Sequence, residues 1–454
     1  MTKTINLRAI RAEVGEWLEA GEVSQAVQLI ASLHPADGAE VLSEFQPELV
    51  QLILRHLDPE YGASLLAELD RQDQVTVVSL MEPEILSDIL DEMAPDDAAD
   101  LLGELEPEQV AAALETMEEA DEVRELLSYD KESAGGLMSP HIVTLRDSLT
   151  SRQAIDFLRR VKPEEDTVYY LFVVDGNDRL VGVVSLRQLV IADPRTILSD
   201  IMKRDVIAAT VDTDQEECAR LLARYDLLAL PIVDRENRIV GAVTADDIID
   251  VIEEEATEDI YRLANLDVEE NVEDSLFSSA RRRLFWLLVN LPTAILAGWV
   301  VSRFQDTVDR LAILASFMPI VAGMGGNAGI QTLTLIVRSI ALGEVEPGEG
   351  LRALSREMTI GAFNGLVVGG AIALLGVVWQ SNPMLGLIAG AAMLLNLIAA
   401  AVAGTVVPLT LKLFRVDPAL ASGVIVTTVT DVTGYTCLLG LATLLLSALE
   451  RAGP

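Results

Sequence analysis

Residues 424–447 read VIVTTVTDVTGYTCLLGLATLLLS. The run is long and apolar enough to cross a bilayer, which takes about 20 residues of helix. It also holds a full carboxylate, Asp431, with no basic residue beside it. An Asp at the centre of a membrane helix costs about 2.5–3.5 kcal/mol on insertion scales, and such residues usually face a bundle interior or an ion path. The residues alone leave two readings. Asp431 is hydrogen-bonded to Thr427, Thr428, Thr430 or Thr433, or it is a cation site. Hydroxyls around a carboxylate with no fixed base favour the cation.

Working outward, apolar stretches lie at about 284–302, 311–337, 358–380 and 384–411, with the fifth at 420–448. They carry almost no charge, whereas a large soluble core would need helices with charged outer faces. Asp431 reads as the only acid well inside a span. Glycine-dense runs such as GMGGNAG (323–329) and GLIAGAAM (386–393) let membrane helices approach closely. Asn290, Asn327, Gln331, Asn364 and Asn396 add polar groups to the spans; with Asp431 they point to an aqueous path. Eight bases, among them Arg281, Arg282, Arg283 and Lys412, lie on one side of these spans against three (Arg303, Arg310, Arg451) on the other. The positive-inside bias then puts the N-terminus in the cytosol and the C-terminus outside.

The net charge of −38 is concentrated in the other half. Residues 1–283 hold 62 acids and 25 bases, a balance of −37, whereas residues 284–449 hold 8 and 7, a balance of −1. So acidic a half repels nucleic acid and anionic lipid and attracts cations. Carboxylates are also the hard oxygen ligands that Mg²⁺ prefers. Cys218 and Cys437 lie in different halves, so neither a disulfide framework nor a thiolate metal site is implied. MTKTINLRAI lacks the apolar core of a signal peptide.

Two repeats organise the acidic half. Leu33, Phe45, Leu57, Leu69, Met81, Met93, Leu105 and Met117 recur every twelve residues, and proline follows two positions later at 35, 47, 59, 83, 95 and 107. Arg71 breaks the proline series. Proline suits the first turn of a helix, so each unit predicts a short helix, and the series predicts a helical superhelix after a helix near 5–31. Farther on, YLFVVDGNDRLVGVVSLRQLV (170–190) aligns with LALPIVDRENRIVGAVTADDII (228–249) at an offset of 59. Each copy reads strand, turn, strand, helix. The pair resembles tandem CBS domains, which implies adenine-nucleotide binding or gating of a partner domain; Arg187 is the candidate phosphate contact.

The next segment, ADDIIDVIEEEATEDIYRLANL (245–266), crowds carboxylates on one helix. Asp247, Asp250, Glu254 and Glu258 fall at spacings of three and four, on one face. This is either a solvated acidic face or half of a divalent-cation site. A helical, amphipathic connection over about 262–283 is expected to lead to the first span.

The order of modules and three motifs, PIVAGMGGNAGIQTLTLIVRSIALGE (319–344), RVDPALASG (415–423) and TTVTDVTG (427–434), resemble the MgtE family of magnesium channels over essentially the whole chain. The resemblance implies a multidomain membrane protein: an all-α superhelix (1–130), a tandem CBS α/β pair (131–256), a connecting or plug helix (257–283) and a five-helix transmembrane pore domain (284–450). It implies a homodimer in lipid, in the plasma (inner) membrane. With His34, His56 and His141 all in the soluble half and no nucleophile–base or P-loop arrangement, no enzymatic activity is expected. Asp431 would hold hydrated Mg²⁺ in the pore with Thr427 and Thr428, and Asn327 and Gln331 would line span two. Regulatory Mg²⁺ would be bound by Asp226, Asp247, Asp250, Glu254, Glu255, Glu258, Asp259 and Asp417, with Glu216 and Asp91 added to the set. Mg²⁺ would be both substrate and regulator, and ATP a ligand of the CBS pair. The alternative is a membrane-anchored metal or nucleotide sensor that transports nothing.

Overall fold

The computed structural model describes residues 6–162, 170–267, 270, 275–345, 348, 350–380, 382–414, 416–420 and 422–445. The chain falls into two compact units, Met1–Ile252 and Glu253–Pro454.

In the first unit the twelve-residue period becomes helices Pro35–Leu42, Pro47–Leu54, Pro59–Ala67, Arg71–Ser79, Pro83–Leu90, Pro95–Leu102 and Pro107–Thr116. The fourth opens on schedule at Arg71, after Asp70, although it lacks proline. Proline therefore sharpens the start of these helices but is not needed for one. Alternate helices stack: Pro35–Leu42 on Pro59–Ala67, that helix on Pro83–Leu90, and Pro47–Leu54 on Arg71–Ser79. The structural unit is thus a pair of helices, two sequence periods long. Side chains tie successive pairs to carbonyls: Tyr61 donates to Ile30 O at 2.8 Å, and Gln51 Nε2 to Leu80 O at 2.8 Å. The single helix expected near 5–31 is two, Leu7–Glu19 and Val23–Ile30. Gly21 separates them at φ +75°, a left-handed conformation that glycine adopts without strain.

Two three-stranded sheets follow. The first is β1 (Thr144–Arg146), β2 (Tyr170–Val174) and β3 (Leu180–Ser185); the second is β4 (Ala209–Thr210), β5 (Ala229–Val233) and β6 (Ile239–Thr244). In each, the outer pair is parallel and the hairpin antiparallel. The 59-residue offset is kept down to the hairpin bulge, at Val173/Val174 and Ile232/Val233, and to the left-handed turn residues Asp178 and Asn237. The two turns meet, where Asn237 Nδ2 donates to Leu180 O at 3.0 Å.

Among the described residues of the second unit, five helices are long and apolar enough to span a membrane: Leu276–Ser302, Leu314–Ala341, Gly350–Gln380, Pro383–Leu413 and Ser422–Leu444. The fourth is the most buried and packs on the second, third and fifth. It can do so because small residues bring backbones together: a Cβ at Gly386 would lie 2.2 Å from Ala373 O of the third span. Two expectations need correction. The connection over 262–283 is not one helix. Helix Ala245–Leu263 ends at a turn with Asn265 at φ 57°, and the next helix opens at Leu276 with Ser275 as its cap. Part of the expected plug segment, 268–269 and 271–274, lies outside the described residues. The third span also starts at Gly350, earlier than 358, because backbone hydrogen bonding continues past the point where hydropathy falls.

Candidate functional site

Asp431 sits half-buried on the fifth span. Its threonine neighbours do not satisfy it. Thr427 Oγ1 donates to Gly423 O at 2.9 Å, Thr428 Oγ1 to Val424 O at 2.6 Å, and Thr430 Oγ1 to Thr427 O at 2.9 Å. Each hydroxyl proton is thus used by the helix itself and is not donated to Asp431. The Asp431 carboxylate makes no hydrogen bond or ion pair with another described residue. Behind it the bundle is tight. Val426 and Thr430 are fully buried beside Gly329, and Gly434 lies against Asn396, whose Nδ2 donates to Val321 O at 2.9 Å.

Asn327 and Gln331 are exposed on the second span. They line a cavity of about 340 Å³ with Thr332, Glu357 and Asn364, and Asp431 is not among its lining residues. Glu357 lies in the third turn of the third span's helix, beside Arg356, and is 4% exposed. Its signal was the shared face of Glu357, Gly361 and Asn364 at i, i+4 and i+7.

The acids of the soluble half form two groups. In the first, Asp247 closes the opening turn of helix Ala245–Leu263: its Oδ2 accepts from Thr244 N at 3.3 Å and from the Thr244 hydroxyl. Asp96 and Asp97, on helix Pro95–Leu102, lie close enough to feel its charge. Asp96 Oδ1 is buried without a hydrogen-bond partner. Burial, then Asp97 and Asp247, push the Asp96 carboxyl up to about 7. Asp97 keeps an exposed edge, yet burial and Asp247 push it to about 6, and Asp247 itself is raised by burial. Asp100 and Glu104, one and two turns on, have counter-ions: Arg71 stands 3.6 Å from Asp100 and 3.7 Å from Glu104, and Lys131 pairs with Glu104. The Asp96–Asp97–Asp247 end makes no ion pair among the described residues. Crowded carboxylates there, one with an orphaned oxygen, repel one another when ionised. Asp250 lies exposed one turn from Asp247.

Sequence reasoning missed Asp96 and Asp97 and named Asp91 among the regulatory acids. The Asp91 carboxylate accepts from Glu118 N at 2.9 Å and Glu119 N at 3.3 Å, tying down the start of helix Ala120–Leu126. Glu216 lies in the first turn of helix Gln215–Tyr225, and Asp226 is that helix's exposed left-handed cap. Arg187 is exposed on helix Leu186–Ile191.

The second group joins the last turns of helix Ala245–Leu263 to the loop between the fourth and fifth spans. Arg262 binds both Glu258 and Asp417. Burial, Asp417 and Glu255 push Asp259 up to about 6. Glu254 faces solvent. Arg262 was not singled out by sequence, where it reads as an ordinary helix-end base. Its two partners are each less than one-third exposed, so charged hydrogen bonds there contribute roughly 1.5–3 kcal/mol each. Arg262→Gln is expected to lower the thermal midpoint of the purified chain in Mg²⁺-free buffer and to enlarge the upshift that added Mg²⁺ produces. An unchanged midpoint in both buffers would show that Arg262 does not hold this junction.

The fold and these sites define a class: an integral membrane protein with five apolar spans, an intramembrane carboxylate and an acidic, CBS-containing soluble half. Family models agree over most of the chain. Residues 318–441 match the MgtE divalent cation transporter domain, 12–132 the MgtE intracellular N domain, and 134–194 and 198–254 the CBS domain. The magnesium transporter MgtE of Thermus thermophilus is 40% identical over 334 residues, 72% of this chain and 73% of that protein. That of Bacillus subtilis is 36% identical over 331 residues, 73% of each. A crystal structure of the cytosolic domain of the Mg²⁺ channel MgtE in complex with ATP matches with TM-score 0.50 and 37% identity, covering 53% of this chain and 99% of that one. The chain belongs to the MgtE family of magnesium transporters, which are not enzymes.

Proposed function

We propose that the protein is a Mg²⁺-selective channel. It imports the ion down its electrochemical gradient and closes when Mg²⁺ binds its acidic soluble half. The observation that carries this reading is Asp431, a carboxylate in an apolar span whose threonine neighbours bond to backbone and leave it unsatisfied. Mg²⁺ dehydrates reluctantly and keeps several waters. A hydroxyl-rich site holding the ion through water suits it, and two copies of Asp431 facing each other across a homodimer axis would complete the site. The excess of bases around spans one, three and four orients the soluble half toward the cytosol of the inner membrane.

The chain divides by this reading into superhelix, CBS pair, connecting helix and pore, with helix Ala245–Leu263 as the connection. Its two ends carry the two acid groups. Mg²⁺ at Asp96, Asp97 and Asp247, and at Glu255, Glu258, Asp259 and Asp417, would relieve their repulsion and favour one arrangement. Moving a two-state gate from 1:99 to 99:1 takes about 5.5 kcal/mol of differential binding, within reach of several weak sites acting together. Adenine nucleotide at the CBS pair is part of the proposal, since a relative's cytosolic domain is known with ATP.

The test is flux through the full chain in liposomes, followed with a Mg²⁺-sensitive dye while Mg²⁺ at the soluble-half face is varied. Flux that falls as this Mg²⁺ rises is the expected result. Folded protein that passes no ion at any Mg²⁺ concentration would leave the anchored sensor in place of the channel.

A further inference from the structure

We infer that the cavity between the second, third and fourth spans is a second binding site for a hydrated divalent cation, distinct from Asp431 and built around Glu357. The inference rests on the channel reading, which supplies the ion. Burying a carboxylate in a membrane domain is costly unless it is paired or serves an ion. The Glu357 side chain is 5% exposed. Its pairing is one-sided: Arg356 reaches Oε1 at 2.9 Å from the next position in the helix, and that arginine side chain is 66% exposed. Toward the cavity, Oε2 has only a long contact of 3.5 Å from Thr332 Oγ1.

The rest of the polar lining supplies the chemistry. Asn327 and Gln331 come from the second span and Asn364 from the third, each with an amide oxygen. With Glu357 and Thr332 this is an all-oxygen donor set, without thiol or imidazole, as a hard cation requires. The volume of about 340 Å³ corresponds to roughly ten waters at about 30 Å³ each. A cation with its six-water shell therefore fits, with amides and carboxylate acting on the shell. Arg356 is positioned to exchange with the ion: it can leave Oε1 for solvent as the cation arrives.

The experiment uses the full chain with Cys218→Ala and Cys437→Ala, a reporter Leu335→Cys on the cavity wall, and a small water-soluble methanethiosulfonate. MgCl₂ alone is the ligand. Modification at position 335 is expected to slow about tenfold at about ten times the dissociation constant. Glu357→Gln should abolish this protection. Asn364→Asp adds a carboxylate and should lower the half-protecting Mg²⁺ concentration by about tenfold, which guards against a Glu357 variant that misfolds. Asp431→Asn should leave protection intact. Protection absent in the parent, or surviving Glu357→Gln with the same midpoint, would overturn the inference. Protection lost in Asp431→Asn would show one site, not two. Loss of flux in Asp431→Asn bears on the pore reading alone.

Discussion

Asp431→Ala in proteoliposomes is expected to cut Mg²⁺ flux by about a hundredfold or more. Each charged contact to a bound ion is worth roughly 1.5–3 kcal/mol, and a dimeric pore would lose two. Stability should move the other way. The carboxylate has no partner among the described residues, so its removal relieves an insertion cost of about 2.5–3.5 kcal/mol. The thermal midpoint should hold or rise. A structural Asp would give the opposite pair of results: a lower midpoint with flux retained in whatever protein remains folded. Retained flux from stable Asp431→Ala protein would remove Asp431 from the ion path.

The second large effect is expected at the Asp96–Asp97–Asp247 group. With Asp96 pushed to about 7, the native state holds a proton that the unfolded chain, with an ordinary Asp near 3.9, gives up. The sign follows. Below about pH 4 the group is protonated in both states. Between about 4 and 7 stability falls as pH rises, by up to about 1.4 kcal/mol per unit for each proton held. Above about 7 the loss is complete. Mg²⁺ requires the deprotonated acids, so it should restore stability at pH 8 and do little at pH 5. Thermal midpoints of the full chain across this range, with and without Mg²⁺, read both trends. Asp96→Asn should flatten the Mg²⁺-free profile and reduce the Mg²⁺ upshift. A profile rising with pH in Mg²⁺-free buffer would refute the assignment.

Much of the architecture was legible because it is periodic. Twelve-residue spacing marks helix starts because each unit must bury one apolar position and open one helix, and Arg71 shows that the period outlasts the proline. The 59-residue offset recurs in strands, bulge and turn because both copies solve the same packing problem. Span number was legible because hydrocarbon thickness sets a length. Span ends were not: hydropathy reports where lipid contact stops, and the helix runs on, which is how Glu357 escaped notice on the third span.

The sequence by itself determined the modules, their order and the isolated carboxylate in the fifth span, because each of these depends on neighbours along the chain. Only the tertiary structure decided which acids face each other. Asp247 is far from Asp96 in sequence but close enough to raise the Asp96 pKa, Asp91 accepts from the backbone N–H groups of Glu118 and Glu119, and Arg262 holds Asp417 across 155 positions. Charge along a chain says how much repulsion there is. Where that repulsion gathers, and so where a cation lowers the free energy most, is set by how the helices pack.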